Sequence, residues 1–194
     1  MSVLSTNNKI QQFDLARCSI GDETMLAFKE ALQKRKSGGK NASQPLALIS
    51  LSLENNSISS LGLSYLAEAL LDNQDICLIS EINLRSNSNI TYGGGIPTSS
   101  SSSSSSSAAA VPSSTAPTNT ASRATFTPDG LVLLSRYHCT ENCTLTALDL
   151  SRCILGDAGV AALAQALGAA TSLRVISLEK FVHCSLYILS GNYI

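Results

Sequence analysis

The sequence predicts an α/β solenoid in which short parallel strands, each followed by a sharp turn and a helix, stack one unit on the next. Three observations carry this. An apolar frame recurs with one spacing, a period of two precedes each turn, and a period near 3.6 follows it. The first copy has Ile10, Phe13, Leu15, Cys18 and Ile20, and the second has Leu48, Leu51, Leu53, Asn56 and Ile58. The third places Ile79, Ile82, Leu84 and Asn87 in step, with Ile90 one residue late, and the fourth has Leu145, Leu148, Leu150, Cys153 and Leu155. A fifth begins with Leu173, Ile176 and Leu178, but Phe181 stands where a small polar residue belongs.

The alternation in Phe13-Asp14-Leu15, Leu51-Ser52-Leu53, Ile82-Asn83-Leu84, Leu148-Asp149-Leu150 and Ile176-Ser177-Leu178 sends apolar side chains to one face and polar ones to the other. These are half-buried strands. Cys18, Asn56, Asn87 and Cys153 fall three residues later, where the chain turns and a small side chain must bond buried backbone or pack tightly. Beyond the turn, Gly62-Leu63, Leu66, Ala69 and Leu70 repeat as Gly159-Val160, Leu163, Ala166 and Leu167, one face of a helix. Met25, Phe28, Ala31 and Leu32 do the same in the first unit. Asp22 and Asp157 are placed just ahead of those helices as caps.

On these residues the chain resembles a leucine-rich repeat protein of the ribonuclease-inhibitor class. Leu150 to Leu178 spans 28 residues, the spacing typical of that class, and the likeness covers roughly residues 10 to 178 apart from two inserts. It implies a partial array of four to five repeats, a horseshoe with a concave parallel sheet and convex helices. An ordinary doubly wound domain also alternates strand and helix, but would not repeat one frame four times.

The domain organisation follows from the spacings. Residues 1–194 form a single repeat domain. Leu84 to Gly130 is 46 residues where nine are expected, so residues 91–127 are an insert between a strand and its helix. It contains the serine run Ser99 to Ser107 and a Ser/Thr/Pro stretch, which cannot bury enough apolar surface to order itself, and disorder is expected. The helix then resumes with Asp129, Gly130, Leu131, Leu134 and Tyr137. The first helix-to-strand connection is also long, and Lys34, Arg35, Lys36 and Lys40 are expected in a solvated loop reaching Pro45. Residues 181–194 form a degenerate tail. The first repeat begins at residue 10 with no separate capping unit, so uncovered ends and end-to-end self-association are expected of a piece of a longer horseshoe.

A net charge of −1, four Phe, five Tyr and no Trp argue against a nucleic-acid surface. The polar start of the chain and the lack of a long apolar run point to a cytoplasmic protein, with the nucleus as an alternative, and no membrane partner. Six cysteines are then expected as reduced thiols. Cys139, Cys143 and His138 form a loose ligand group that lacks a paired motif, His183-Cys184 being far along the chain, so no metal and no cofactor is expected. Gly93-Gly94-Gly95 lacks the lysine of a phosphate loop, and no nucleophile motif occurs, so the chain is expected not to be an enzyme.

The outward rows of the sheet are the candidate site. The strand-centre row is Asp14, Ser52, Asn83, Asp149 and Ser177. Beside it runs Ala16, Glu54, Arg85, Ser151 and Glu179, then Arg17, Asn55, Ser86, Arg152 and Lys180. Small polar and charged side chains suit a protein partner better than a small substrate. The expected function is a noncatalytic interaction scaffold, and reversing Asp14 and Asp149 is expected to weaken the partner without unfolding the array. The resemblance also allows a regulator of a Ran-like small GTPase, or the ligand-sensing repeats of a NOD-like receptor.

Overall fold

The computed structural model describes residues 4, 6–37, 45–92, 96–97, 126–127, 129–168 and 172–179. Strands β1 (Gln12–Asp14), β2 (Ser50–Ser52), β3 (Glu81–Asn83), β6 (Ala147–Asp149) and β7 (Val175–Ser177) form one parallel sheet, in chain order and without reversal. A doubly wound sheet would reverse direction from its centre, so that alternative is excluded. Helices α1 (Asp22–Ser37), α2 (Ser60–Asp72), α3 (Gly130–His138) and α4 (Gly156–Leu167) each follow a strand. Sheet and helices together form an open α/β solenoid.

Phe13, Leu51, Ile82, Leu148 and Ile176 stand opposite one another across the sheet. The frame leucines and isoleucines of the second to fourth units are essentially fully buried. Ile10, Phe13, Leu15 and Ile20 at one end, and Leu173, Ile176 and Leu178 at the other, are only partly buried because each has a described neighbour on one side. Ile90, displaced by one residue, still reaches the core, because its N–H closes a turn onto the Asn87 carbonyl at 3.0 Å.

Asn56 and Asn87 fill the turn as expected. Asn56 Oδ1 accepts from the N–H groups of Cys18 and Ile20, both at 3.1 Å, while its Nδ2 donates to the Leu15 and Leu53 carbonyls at 2.8 and 3.0 Å. Asn87 repeats the device one unit on, accepting from Ile58 N–H at 3.2 Å and donating to Leu53 and Leu84 at 2.9 Å. Cys153, fully buried, donates its thiol to the Leu84 carbonyl at 3.4 Å. Cys18 is exposed, and its thiol bonds only within its own turn, to the Ala16 carbonyl.

Three expectations are corrected. Helices α1 and α4 begin three residues ahead of Met25 and Gly159, so Asp22 and Asp157 lie in the first turn rather than before it. Asp22 faces the next unit, where its Oδ1 and Oδ2 accept from Ser59 N–H at 2.8 Å and Ser59 Oγ–H at 2.6 Å. Ser59 in turn caps α2 by accepting from Leu61 N–H.

Second, Lys34, Arg35 and Lys36 are not in a loop. Helix α1 runs to Ser37, and of the four basic residues only Lys40 lies outside the described residues. Arg35 is 1% exposed, with Nη1 donating to the Leu4 and Asn7 carbonyls and Nη2 to the Pro45 carbonyl. Lys36 pairs with Asp75 at 3.1 Å. Third, chain ahead of residue 10 does pack: Leu4 is buried, and Arg35 holds it through those carbonyls.

The insert meets the array through Thr91, whose N–H donates to Ser60 Oγ at 2.9 Å and which bridges to Ile154. Strands β4 (Ile96–Pro97) and β5 (Phe126–Thr127) pair antiparallel inside the 91–127 span. The serine run and the 181–194 tail lie outside the described residues.

Candidate protein-interaction face

The identical register of the five strands places Asp14, Ser52, Asn83, Asp149 and Ser177 side by side in one row. The ladder continues beyond the strands. Arg17, Asn55, Ser86 and Arg152 donate their N–H groups to the carbonyls of Glu54, Arg85, Ser151 and Glu179 at 2.7–2.9 Å. Both flanking rows are therefore built by backbone pairing from unit to unit, up to Glu179, and Lys180 lies outside the described residues.

The side chains of these rows divide into those with structural duties and those without. Asp14, Asn83 and Asp149 each accept, through Oδ1, from the N–H two residues on, that of Ala16, Arg85 and Ser151, at 2.8–2.9 Å. These are turn-closing bonds of the kind Asp and Asn make locally. Reversing Asp14 and Asp149 would therefore remove two turn bonds as well as two charges, which corrects the expectation that the pair probes binding alone. Ser151, expected at the surface, is instead fully buried and accepts from Glu179 N–H at 3.0 Å. The small Ser151 lets Arg85 reach two strands over to Glu179, at 3.1 Å. Glu54 accepts from Asn83 Nδ2 at 3.3 Å. Ser52 and Ser177 are half-buried, and Arg17 and Arg152 are exposed.

One row was missed. Gln12, Ser50, Glu81, Ala147 and Val175 lie two residues ahead of the strand-centre row and share its face, since alternate strand residues point the same way. The signal was the same alternation, extended one step toward the strand start. Glu81 and Val175 are exposed there, Val175 by 56%. The strand-entry row thus mixes exposed Gln12, Glu81 and Val175, while the exit flank is charged.

Family comparison agrees with this geometry at two places. A model described as Leucine Rich repeat matches residues 6–29 and 141–164, which hold the first and fourth units. The two matched stretches are leucine-rich repeats. Leucine-rich repeats generally mediate protein–protein interaction and typically act as noncatalytic scaffolds. No curated protein matches the chain.

Away from the sheet, the repeats offer little reactive chemistry. His138 Nδ1 lies 3.9 Å from Cys143 Sγ, and His138 is 1% exposed. Burial lowers the His138 pKa to about 4, so the ring is neutral at pH 7. Burial also raises the Cys77 and Cys153 thiols to about 11 and the Tyr137 hydroxyl to about 12, which keeps all three protonated and inert. Among the described residues, no three His, Cys, Asp or Glu side chains converge as a metal site, and no helix is long and apolar enough to cross a membrane. A groove of about 400 Å³ opens between α3 and α4, lined by residues including Tyr92, Arg136 and Gln165.

Proposed function

We propose that the protein is a noncatalytic scaffold that binds a protein partner across the outward, concave face of its sheet. The observation that carries this reading is the common register of five strands, which aligns polar and charged side chains into continuous rows. Such a surface is broad and lacks an enclosing cavity, and so fits a protein surface rather than a small substrate. Exposed Val175 adds apolar contact area in the strand-entry row. The Ran-like GTPase regulator and NOD-like receptor readings rest on fold analogy alone.

The test uses face residues that make no turn-closing bond. The double variant Ser52→Arg, Glu81→Arg places two new cations on the face. Captured proteins from native lysate are compared with those held by wild-type protein and by an Arg136→Gln control on the helix side. A partner lost only from the face variant, with circular dichroism and melting unchanged, is the expected result. Identical capture by all three proteins would sink the proposal.

A further inference from the structure

We propose that the free edge of strand β1 pairs with the same edge of a second copy of this chain, forming a closed head-to-head dimer. This goes beyond the sheet-face reading and does not rest on it. The first observation is an unpaired ladder edge. Strand β1 is the outermost strand of the parallel sheet, with β2 on one side. Leu15 and Arg17 donate their N–H groups to the Ser52 and Glu54 carbonyls, so the odd-numbered residues of this segment face β2. Gln12 and Asp14 therefore direct backbone N–H and C=O groups away from it, and both residues are exposed. The chain ahead of them turns toward α1, where Arg35 holds the Leu4 and Asn7 carbonyls, and among the described residues no strand pairs with this edge. Such an edge is a template for another strand.

The second observation is an apolar shelf behind that edge. Ile10, Phe13, Leu15 and Ile20 are only partly buried, whereas their counterparts one unit on, Leu48, Leu51, Leu53 and Ile58, are at most 1% exposed. Cys18 is exposed where Asn56, Asn87 and Cys153 are buried. A lone extended peptide would pair with the strand and leave these side chains short of a neighbour on the core side. A second copy brings a strand with the same apolar set behind it, and so covers both.

The third observation is register. When two β1 edges meet antiparallel about a two-fold axis beside Phe13, Gln12 stands opposite Asp14 of the copy, and Phe13 opposite Phe13. Each Gln12–Asp14 pair then exchanges both of its backbone bonds, and the two Phe13 rings fall in the close, non-hydrogen-bonded pair. On the outward face Gln12 Nε2 can donate to Oδ2 of the facing Asp14, because Oδ1 is taken by the Ala16 N–H. The two Asp14 carboxylates stand on a diagonal, about 7–8 Å apart and open to screening by salt. The edge is thus self-complementary, and the contact closes on itself as a symmetric dimer requires.

Sedimentation velocity over a range of protein concentrations tests this. Wild-type protein is expected to run as monomer and dimer and nothing larger. Gln12→Pro removes an N–H that points away from β2, so it should abolish the dimer and leave the circular dichroism of the monomer unchanged. Gln12→Asp sets a like charge opposite each Asp14 and should weaken association about tenfold, whereas Gln12→Arg sets an opposite charge there and should tighten it about fivefold. Val175→Lys, on the far edge strand of the sheet, should associate as wild type does. A monomer at every concentration, growth past the dimer into head-to-tail chains, or loss of the dimer in Val175→Lys overturns the assignment. If Gln12→Pro fails to fold, the two charge variants decide: association changed in the same direction by both, or by neither, overturns it as well.

Discussion

Cys18 and Asn56 are 38 residues apart in sequence, yet the Cys18 N–H donates to Asn56 Oδ1 at 3.1 Å. One carboxamide thereby serves the turn of its own unit and that of the unit before it. Replacing Asn56 with Ala would take this partner from the Cys18 and Ile20 N–H groups and the Leu15 carbonyl, and would leave the Leu53 carbonyl with Asn87 alone. Asn56→Ala is expected to cost about 2–4 kcal/mol, from the loss of several bonds to groups shielded from water. Urea unfolding followed by circular dichroism measures it, and a cost within experimental error of zero would refute the role. Asn87→Ala should behave alike.

Asp149 is expected to separate turn closure from charge. Asp149→Asn keeps an acceptor for the Ser151 N–H and should leave the melting temperature nearly unchanged. Asp149→Ala removes it and should cost about 1 kcal/mol. Equal melting of the two variants would show that the bond contributes nothing.

Helix α3 approaches α2 at a position where only glycine fits. A methyl group on Gly130 would come within 2.6 Å of the Ser64 backbone nitrogen and 2.8 Å of the Leu63 carbonyl carbon. Neither atom can move without its helix, so Gly130→Ala is expected to destabilise by about 1–3 kcal/mol. Its usual helix-propensity gain would be overwhelmed. A melting temperature at or above that of wild type would contradict the close approach.

His138 gives the fold an acid sensitivity with a definite sign. Its pKa is lowered from 6.5 to about 4 by burial, so between those values the unfolded chain binds a proton that the folded chain refuses. Stability is full above about pH 6.5 and falls as pH drops toward 4, by up to about 3 kcal/mol. Melting curves across that range are expected to steepen this loss in wild type relative to His138→Phe. Parallel curves would show that His138 is not the proton acceptor.

The strands and their burial were legible in the sequence because Leu51, Leu53, Leu148 and Leu150 alternate with polar residues, a pattern few other structures tolerate. Asn56 was legible too, because its offset from Leu53 recurs at Asn87. Arg35 was not: in sequence it belongs to a run of charges, and what buries it are carbonyls of Leu4, Asn7 and Pro45, brought near only by folding. The double duty of the outward row was half legible. Asp149 two residues before Ser151 is the sequence form of a turn-closing bond, but alternation alone also marks it as a surface residue. Glu81 was overlooked because the frame was counted from apolar to apolar, and the strand starts one residue sooner.

Strands β4 and β5 carry a practical consequence. Pairing Ile96 with Thr127 and Pro97 with Phe126 brings the two ends of the intervening chain together at a fixed separation. Closure entropy grows only slowly with loop length, by about 0.6 kcal/mol per doubling. The position is therefore a permissive splice point, where an epitope tag or a small fluorescent domain can be carried without altering the spacing of the units on either side.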